Sequence, residues 1–155
     1  MLEKFWAWYE RTYTLNISIA FGLFLLQIAH LVWLFGEVVW AYMVGEPLFS
    51  LEGIFKWLII VVDYTEIPAL ISVSFIYLNE LRKGWRTKEF LYFLFLNSQW
   101  LHLFWITDEF VETTFNEPGT VLPIALAWLA ILIDYLEIPV MIDTGLKFFR
   151  AVVRR

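Results

Sequence analysis

Apolar residues form four long runs along the chain, at about 13–43, 49–79, 88–115 and 120–148. Each run exceeds the roughly 20 residues that an α-helix needs to cross about 30 Å of hydrocarbon. Proline and glycine interrupt the pattern at 45–47 and 116–119, where one helix is expected to end before the next begins. The pattern predicts an all-α bundle of four transmembrane helices, in a single membrane domain over residues 1–155.

One hexapeptide occurs twice, as DYTEIP at 63–68 and as DYLEIP at 134–139. A shift of 71 or 72 residues also matches Gln27 with Gln99, His30 with His102, Trp33 with Trp105, and Glu37 with Glu109. The sequence therefore predicts two tandem helical hairpins, at 13–79 and 88–150. Because each hairpin contains two spans, both copies have the same orientation, which predicts a pseudo-twofold axis along the membrane normal.

The composition agrees with a membrane protein and limits the chemistry of any site. Hydrophobic residues make up 61% of the 155 residues, against roughly 45 to 50% in soluble globular domains. There is no cysteine, which excludes disulfides, thiolate metal sites and covalently attached haem. A metal ion bound by this chain would therefore have oxygen and nitrogen ligands.

The basic residues indicate how the chain crosses the bilayer. Of the 11 lysines and arginines, ten lie before the first apolar run, between the second and third runs, or at the C-terminus. The positive-inside rule then predicts a multi-pass protein with both termini and the middle loop in the cytoplasm. The basic residues are thus explained as a topology signal. We expect the lipid bilayer to be the partner of this protein, and we expect no binding to nucleic acid.

Acids and histidines inside the predicted spans are the candidate functional residues. His30 and Glu37 are seven residues apart, which places them on nearly the same side of a helix. Asp63 and Glu66 share a face of the next helix, and folding the first hairpin about residues 46–47 places Asp63 opposite His30. An acid at the bilayer centre costs roughly 2.5 to 3.5 kcal/mol, which favours a functional role. The second hairpin repeats the arrangement with His102, Glu109, Asp134 and Glu137.

These eight residues predict a site for two divalent transition-metal ions, with iron, manganese or zinc favoured over Cu(I). The hexapeptide acids carry four negative charges, which two divalent cations would cancel: Asp63, Glu66, Asp134 and Glu137. Glu37 and Glu109 are either further ligands or groups that orient the histidines. The ligand count resembles that of di-metal carboxylate bundles, although the pair here is Asp-x-x-Glu rather than Glu-x-x-His.

The leading hypothesis is an integral membrane di-metal protein. With iron it would be an oxidoreductase acting on a lipid-soluble substrate, and with zinc a hydrolase or a structural protein. Three alternatives stay open: a proton or cation conduit that uses the same acids, a hydrogen-bonded network of protonated acids, and b-type haem between His30 and His102. The sequence assigns no catalytic residue, substrate or oligomeric state.

Overall fold

The computed structural model describes residues 1–115 and 124–153, without the side chains of residues 105–115 and 124. Within this part the chain is all-helical and contains no strand, as predicted. Its α-helices are α1 (Leu2–Arg11), α2 (Tyr13–Trp33), α3 (Trp40–Val44), α4 (Ile54–Tyr64), α5 (Glu66–Lys83), α6 (Thr87–Phe115), α7 (Ile124–Tyr135) and α8 (Glu137–Val153). A π-helical segment, Leu34–Val39, joins α2 to α3.

In the described part, three helical stretches are long and apolar enough to cross a membrane: Tyr13–Val44, Ile54–Lys83 and Ala125–Val153. They contain most of the first, second and fourth predicted spans. The third predicted span corresponds to α6, a helix of 29 residues. The fourth crossing and the orientation of the termini stay predictions, and the connection predicted at 116–119 lies outside the described residues.

Both hexapeptides contain a break in their helix. The break between α4 and α5 is at Thr65, and the break between α7 and α8 is at Leu136. Pro68 and Pro139 follow three residues later and have no backbone N–H, so the carbonyl four residues before each proline loses its helical donor. The break therefore falls between the aspartate and the glutamate of each hexapeptide.

The helices pack around a core on the side of the molecule that carries the basic residues. Helix α2 packs against α5 and α8, and α6 packs against α5, α7 and α8. The core side chains are almost completely shielded from solvent and include Ile17, Phe24, Leu70, Val73, Leu96 and Val140. Because this core joins α2, α5, α6 and α8, it fixes the helices that carry the polar residues of the hexapeptides and their partners.

The connection between α3 and α4 folds back onto the π-helical segment. Gly45 begins this turn with φ +97°, a left-handed conformation that glycine adopts without strain. The Leu48 amide then donates to the Gly36 carbonyl at 2.8 Å, and the Phe49 ring lies against Gly36. A Cβ atom on Gly36 would lie 2.2 Å from Phe49 Cε1, so the Phe49 ring would have to move if position 36 carried a side chain. The connection thereby covers part of the π-helical segment.

Substitution of Gly36 by alanine is expected to destabilise the protein by about 1 to 3 kcal/mol, because the added methyl group overpacks the contact with Phe49. The matched control is Gly22→Ala in α2, where an added Cβ would meet no atom within 4 Å. That change should stabilise the helix by roughly 0.5 to 1 kcal/mol. Thermal unfolding in detergent measures both. Equal midpoints for the two variants would show that the connection does not pack as described.

Candidate metal centre

His30 and Asp63 form a direct pair between α2 and α4. His30 Nδ1 lies 2.5 Å from Asp63 Oδ1, and both side chains are buried. This confirms the contact expected from folding the first hairpin. A histidine whose one ring nitrogen bonds a carboxylate presents the other nitrogen as a metal ligand, as is common in metal sites. His30 Nε2 is therefore the nitrogen available for an ion.

Asp134 lies between the two imidazoles. Its Oδ1 is 3.1 Å from His102 Nε2, and its Oδ2 is 3.7 Å from His30 Nε2. One ligand atom from each of these three buried residues lies within 4.8 Å of the other two. Two ligands of a single zinc ion, each about 2.1 Å from it, are at most about 4.2 Å apart. The two distances from Asp134 to the histidines, 3.1 and 3.7 Å, are within this limit and are compatible with a shared ion.

Glu66 and Glu137 extend this cluster from α5 and α8. They are only 5% and 3% exposed, and Oε1 of each has no hydrogen-bond partner among the described residues. Both glutamates and Asp63 lie outside the group of three residues whose ligand atoms come within 4.8 Å of one another, so the structure brings only part of the predicted ligand set together. A cation beside these buried carboxylates would offset the cost of burying their negative charge.

The polar atoms of the cluster fit a metal ion. His102 Nδ1, Asp134 Oδ2 and Gln99 Oε1 are buried without a hydrogen-bond partner in the part of the chain that the structure describes. Each buried polar group left unpaired costs about 1 to 3 kcal/mol, and more where it is charged. The donor set is all nitrogen and oxygen, which suits iron, manganese or zinc. A cation would satisfy several of these atoms at once.

Two glutamines support the cluster in the same way in both halves of the chain. Gln27 Nε2 donates to the Val62 carbonyl at 3.2 Å, and Gln99 Nε2 donates to the Ile133 carbonyl at 2.8 Å. Each acceptor belongs to the residue just before a hexapeptide. Gln27 also donates to the hydroxyl of Thr65, which lies in the helix break. These bonds hold each hexapeptide aspartate level with the histidine that it contacts.

Glu37 contacts His30 only indirectly. Its Oε2 accepts hydrogen bonds from Trp33 Nε1 at 2.6 Å and from the Leu51 amide at 3.1 Å. The Trp33 ring in turn lies 5.7 Å from the His30 ring, measured between centroids. Sequence reasoning gave Trp33 no role, although its match with Trp105 in the repeat was a usable signal. The side chain of Glu109, the counterpart of Glu37, lies outside the described residues.

A second polar cluster lies at the basic end of the helices. Asp143 accepts hydrogen bonds from Tyr77 Oη at 2.9 Å, from Lys147 Nζ at 2.7 Å and from Lys88 Nζ. Lys147 also donates to Glu80 at 2.7 Å. These groups satisfy one another, so the cluster joins α5, α6 and α8.

Comparison of the chain with protein-family models, curated proteins and solved structures gives no match. The geometry of the buried cluster is therefore the basis for a functional proposal.

Proposed function

We propose that the protein is an integral membrane protein that binds transition-metal ions through His30, His102 and Asp134. The observation that carries this proposal is the position of the Asp134 carboxylate between two buried imidazoles on different helices. A carboxylate in this position can bridge two ions or bind one ion together with both histidines. Surrounding acids supply the negative charge that such cations need.

The number of acids favours two ions over one. Asp63, Glu66, Asp134 and Glu137 give four negative charges, which two divalent cations cancel. The unpaired oxygens of Glu66 and Glu137 offer one further ligand from each half of the chain. In this proposal Glu37 supports the site indirectly, because its carboxylate accepts a hydrogen bond from the Trp33 indole that packs against His30. Glu109 has the equivalent role in the second hairpin.

The proposed site lies in a bundle of four membrane spans built from two hairpin repeats, with α6 as the third span. Three features that occur in both halves support the repeat: the helix break in the hexapeptide, the glutamine-to-carbonyl bond, and the contact between histidine and aspartate. The basic residues at one side of the bundle place both termini in the cytoplasm in this proposal.

Residues around the site orient its ligands and shield them from water. With the His30 Nδ1 proton donated to Asp63, His30 Nε2 would be free to bind an ion beside Asp134. Burial of the cluster keeps water from competing for the ligands. A bound iron or manganese ion would supply redox chemistry, and a bound zinc ion would supply Lewis acidity. We propose a metal-dependent oxidoreductase or hydrolase on these grounds.

Elemental analysis of protein purified in detergent without chelator tests the proposal. The expected result is about two transition-metal ions per chain, as in other di-metal carboxylate bundles. Dialysis against a chelator followed by reloading should restore the same number. Fewer than one ion per chain would contradict the proposal. A metal-free protein that carries protons across liposome membranes would instead support the conduit that uses the same acids.

A further inference from the structure

The first helix, α1, folds back beside the bundle instead of continuing the direction of α2. His30 of α2 lies opposite Asp63, and α5 then runs back along α2, so Phe75 lies opposite about residue 18 of α2. A straight continuation of α2 would carry Phe5 roughly 20 Å beyond this level, at about 1.5 Å per residue. The rings of Phe5 and Phe75 are instead 5.6 Å apart, measured between centroids. Helix α1 therefore turns back at Thr12, where it ends, and lies against α5 at the basic end of the bundle.

One side of α1 faces away from the protein. Lys4, Trp8 and Arg11 follow one another at intervals of four and three residues, which places them on the same side of the helix. All three are exposed, Trp8 to 52%. The rings of Trp6 and Tyr9 pack against α5 instead. We call the side formed by Lys4, Trp8 and Arg11 the α1 flank.

The positive charges of the α1 flank are not neutralised by the rest of the described chain. Glu10 lies 2.5 Å from Arg82 Nη2 and 3.2 Å from Lys83 Nζ, so these basic residues hold its carboxylate. Neither Lys4 nor Arg11 forms an ion pair with a carboxylate among the described residues. The charged residues on and around α1 have a net charge of +2: Lys4, Arg11, Arg82, Lys83, Glu3 and Glu10.

We propose that the α1 flank binds the headgroup of an anionic phospholipid in the membrane that the protein spans. The apolar stretch Tyr13–Val44 begins two residues after α1 ends, so α1 lies where this stretch enters the bilayer. Tryptophan side chains are enriched at the level of the headgroups. Lysine and arginine reach this level with their charged ends while their stems stay on apolar surface.

The charge of the α1 flank selects the kind of lipid. Basic residues near the membrane surface attract anionic headgroups and have no such attraction to neutral ones. A short helix with aromatic residues on one side and lysine or arginine beside them typically lies in the plane of the interface, as α1 does when it turns back at Thr12. This inference does not depend on the proposed metal site.

Titration of dioleoylphosphatidylglycerol into the protein in a non-ionic detergent, followed by native mass spectrometry, tests the inference. Dioleoylphosphatidylcholine is the ligand with a neutral headgroup. Lys4→Gln and Arg11→Gln should each weaken binding of the first phosphatidylglycerol about fivefold, the usual contribution of one basic residue, and leave phosphatidylcholine binding unchanged. Lys56→Gln is the matched control, because Lys56 is exposed on α4 at the other end of the first hairpin, and it should change neither.

The fluorescence of Trp8 measures where α1 lies. The emission that the protein loses on Trp8→Phe should be quenched in nanodiscs by lipid with brominated acyl chains, and only weakly by iodide in the water. The inference is overturned if iodide is the stronger quencher, since Trp8 would then lie outside the membrane interface. This measurement keeps the test decisive if a charge variant does not fold, which thermal unfolding of each variant shows.

Three outcomes of the lipid titration would also overturn the inference. Lys56→Gln could weaken phosphatidylglycerol binding as much as Lys4→Gln, which would indicate attraction by total charge alone. Lys4→Gln and Arg11→Gln could weaken both lipids equally, which would show that the headgroup charge is not recognised. An equal concentration of inorganic phosphate could displace the bound lipid, which would identify a site for soluble anions.

Discussion

Replacement of Asp134 by asparagine is expected to lower the affinity for metal by about 100-fold or more. Loss of a residue that only orients a metal ligand already costs about 10- to 100-fold. Asp134 contributes more, because its two oxygens face both His30 and His102. Asparagine has nearly the same shape but only one oxygen and no charge, so the change removes coordination while the packing around α7 is kept.

Metal content and metal titration of three variants measure this effect. Asp63→Asn should have a smaller effect, of about 10- to 100-fold, since Asp63 bonds His30 at Nδ1 and orients it. Glu10→Gln removes an exposed carboxylate that pairs with Arg82 and should change nothing. Without metal, the Asp134 variant should unfold at or above the temperature of the metal-free natural protein, because one buried negative charge is gone. Equal metal content in all three variants would refute the role given to Asp134.

The helical class and the pairing of His30 with Asp63 could be predicted because both follow from simple geometry. Long apolar runs have few alternatives to helices in a membrane, since the backbone must satisfy its own hydrogen bonds there. A hairpin between two straight helices then sets which residues lie at equal depth. His30 and Asp63 obey this rule because the helix between Tyr13 and Trp33 is regular.

The environment of Glu37 could not be predicted from the same rule. Spacing of seven residues places Glu37 beneath His30 only if the helix keeps 3.6 residues per turn. The π-helical segment begins at Leu34, between the two residues, and its wider turn changes their relative direction. Glu37 therefore bonds Trp33 and the Leu51 amide. The fold of the connection onto Gly36 depends on tertiary contacts that leave no periodic signal in the sequence.

Tyr135 illustrates a second limit. The two hexapeptides differ at one position and are otherwise identical, so the sequence gives Tyr64 and Tyr135 equal weight. The structure separates them, because the environment of each depends on the helix that packs beside it. Tyr135 lines a hollow beside α2 and its hydroxyl is shielded, whereas the Tyr64 side chain is partly exposed. Near-identical repeats can thus have different environments when their neighbours differ.

Replacement of Asp143 by asparagine is expected to lower the free energy of unfolding by about 3 to 5 kcal/mol, the usual cost of breaking a buried ion pair. Asp143 is 8% exposed and accepts hydrogen bonds from two lysines and from Tyr77. Lys147, whose side chain is only 12% exposed, would lose one of its two carboxylate partners. Chemical denaturation in detergent measures the change.

Glu10→Gln is the matched control, because Glu10 also pairs with two basic residues but is exposed. An exposed pair contributes about 0 to 1 kcal/mol, so this variant should unfold close to the natural protein. Asp143→Asn should nevertheless keep its metal, since Asp143 lies six residues, or roughly 9 Å, along α8 from Glu137. Loss of metal in proportion to the loss of stability would show that the two polar clusters form one cooperative unit. Full metal content in the destabilised protein would show that the Asp143 cluster stabilises the helix packing and that metal binding does not depend on it.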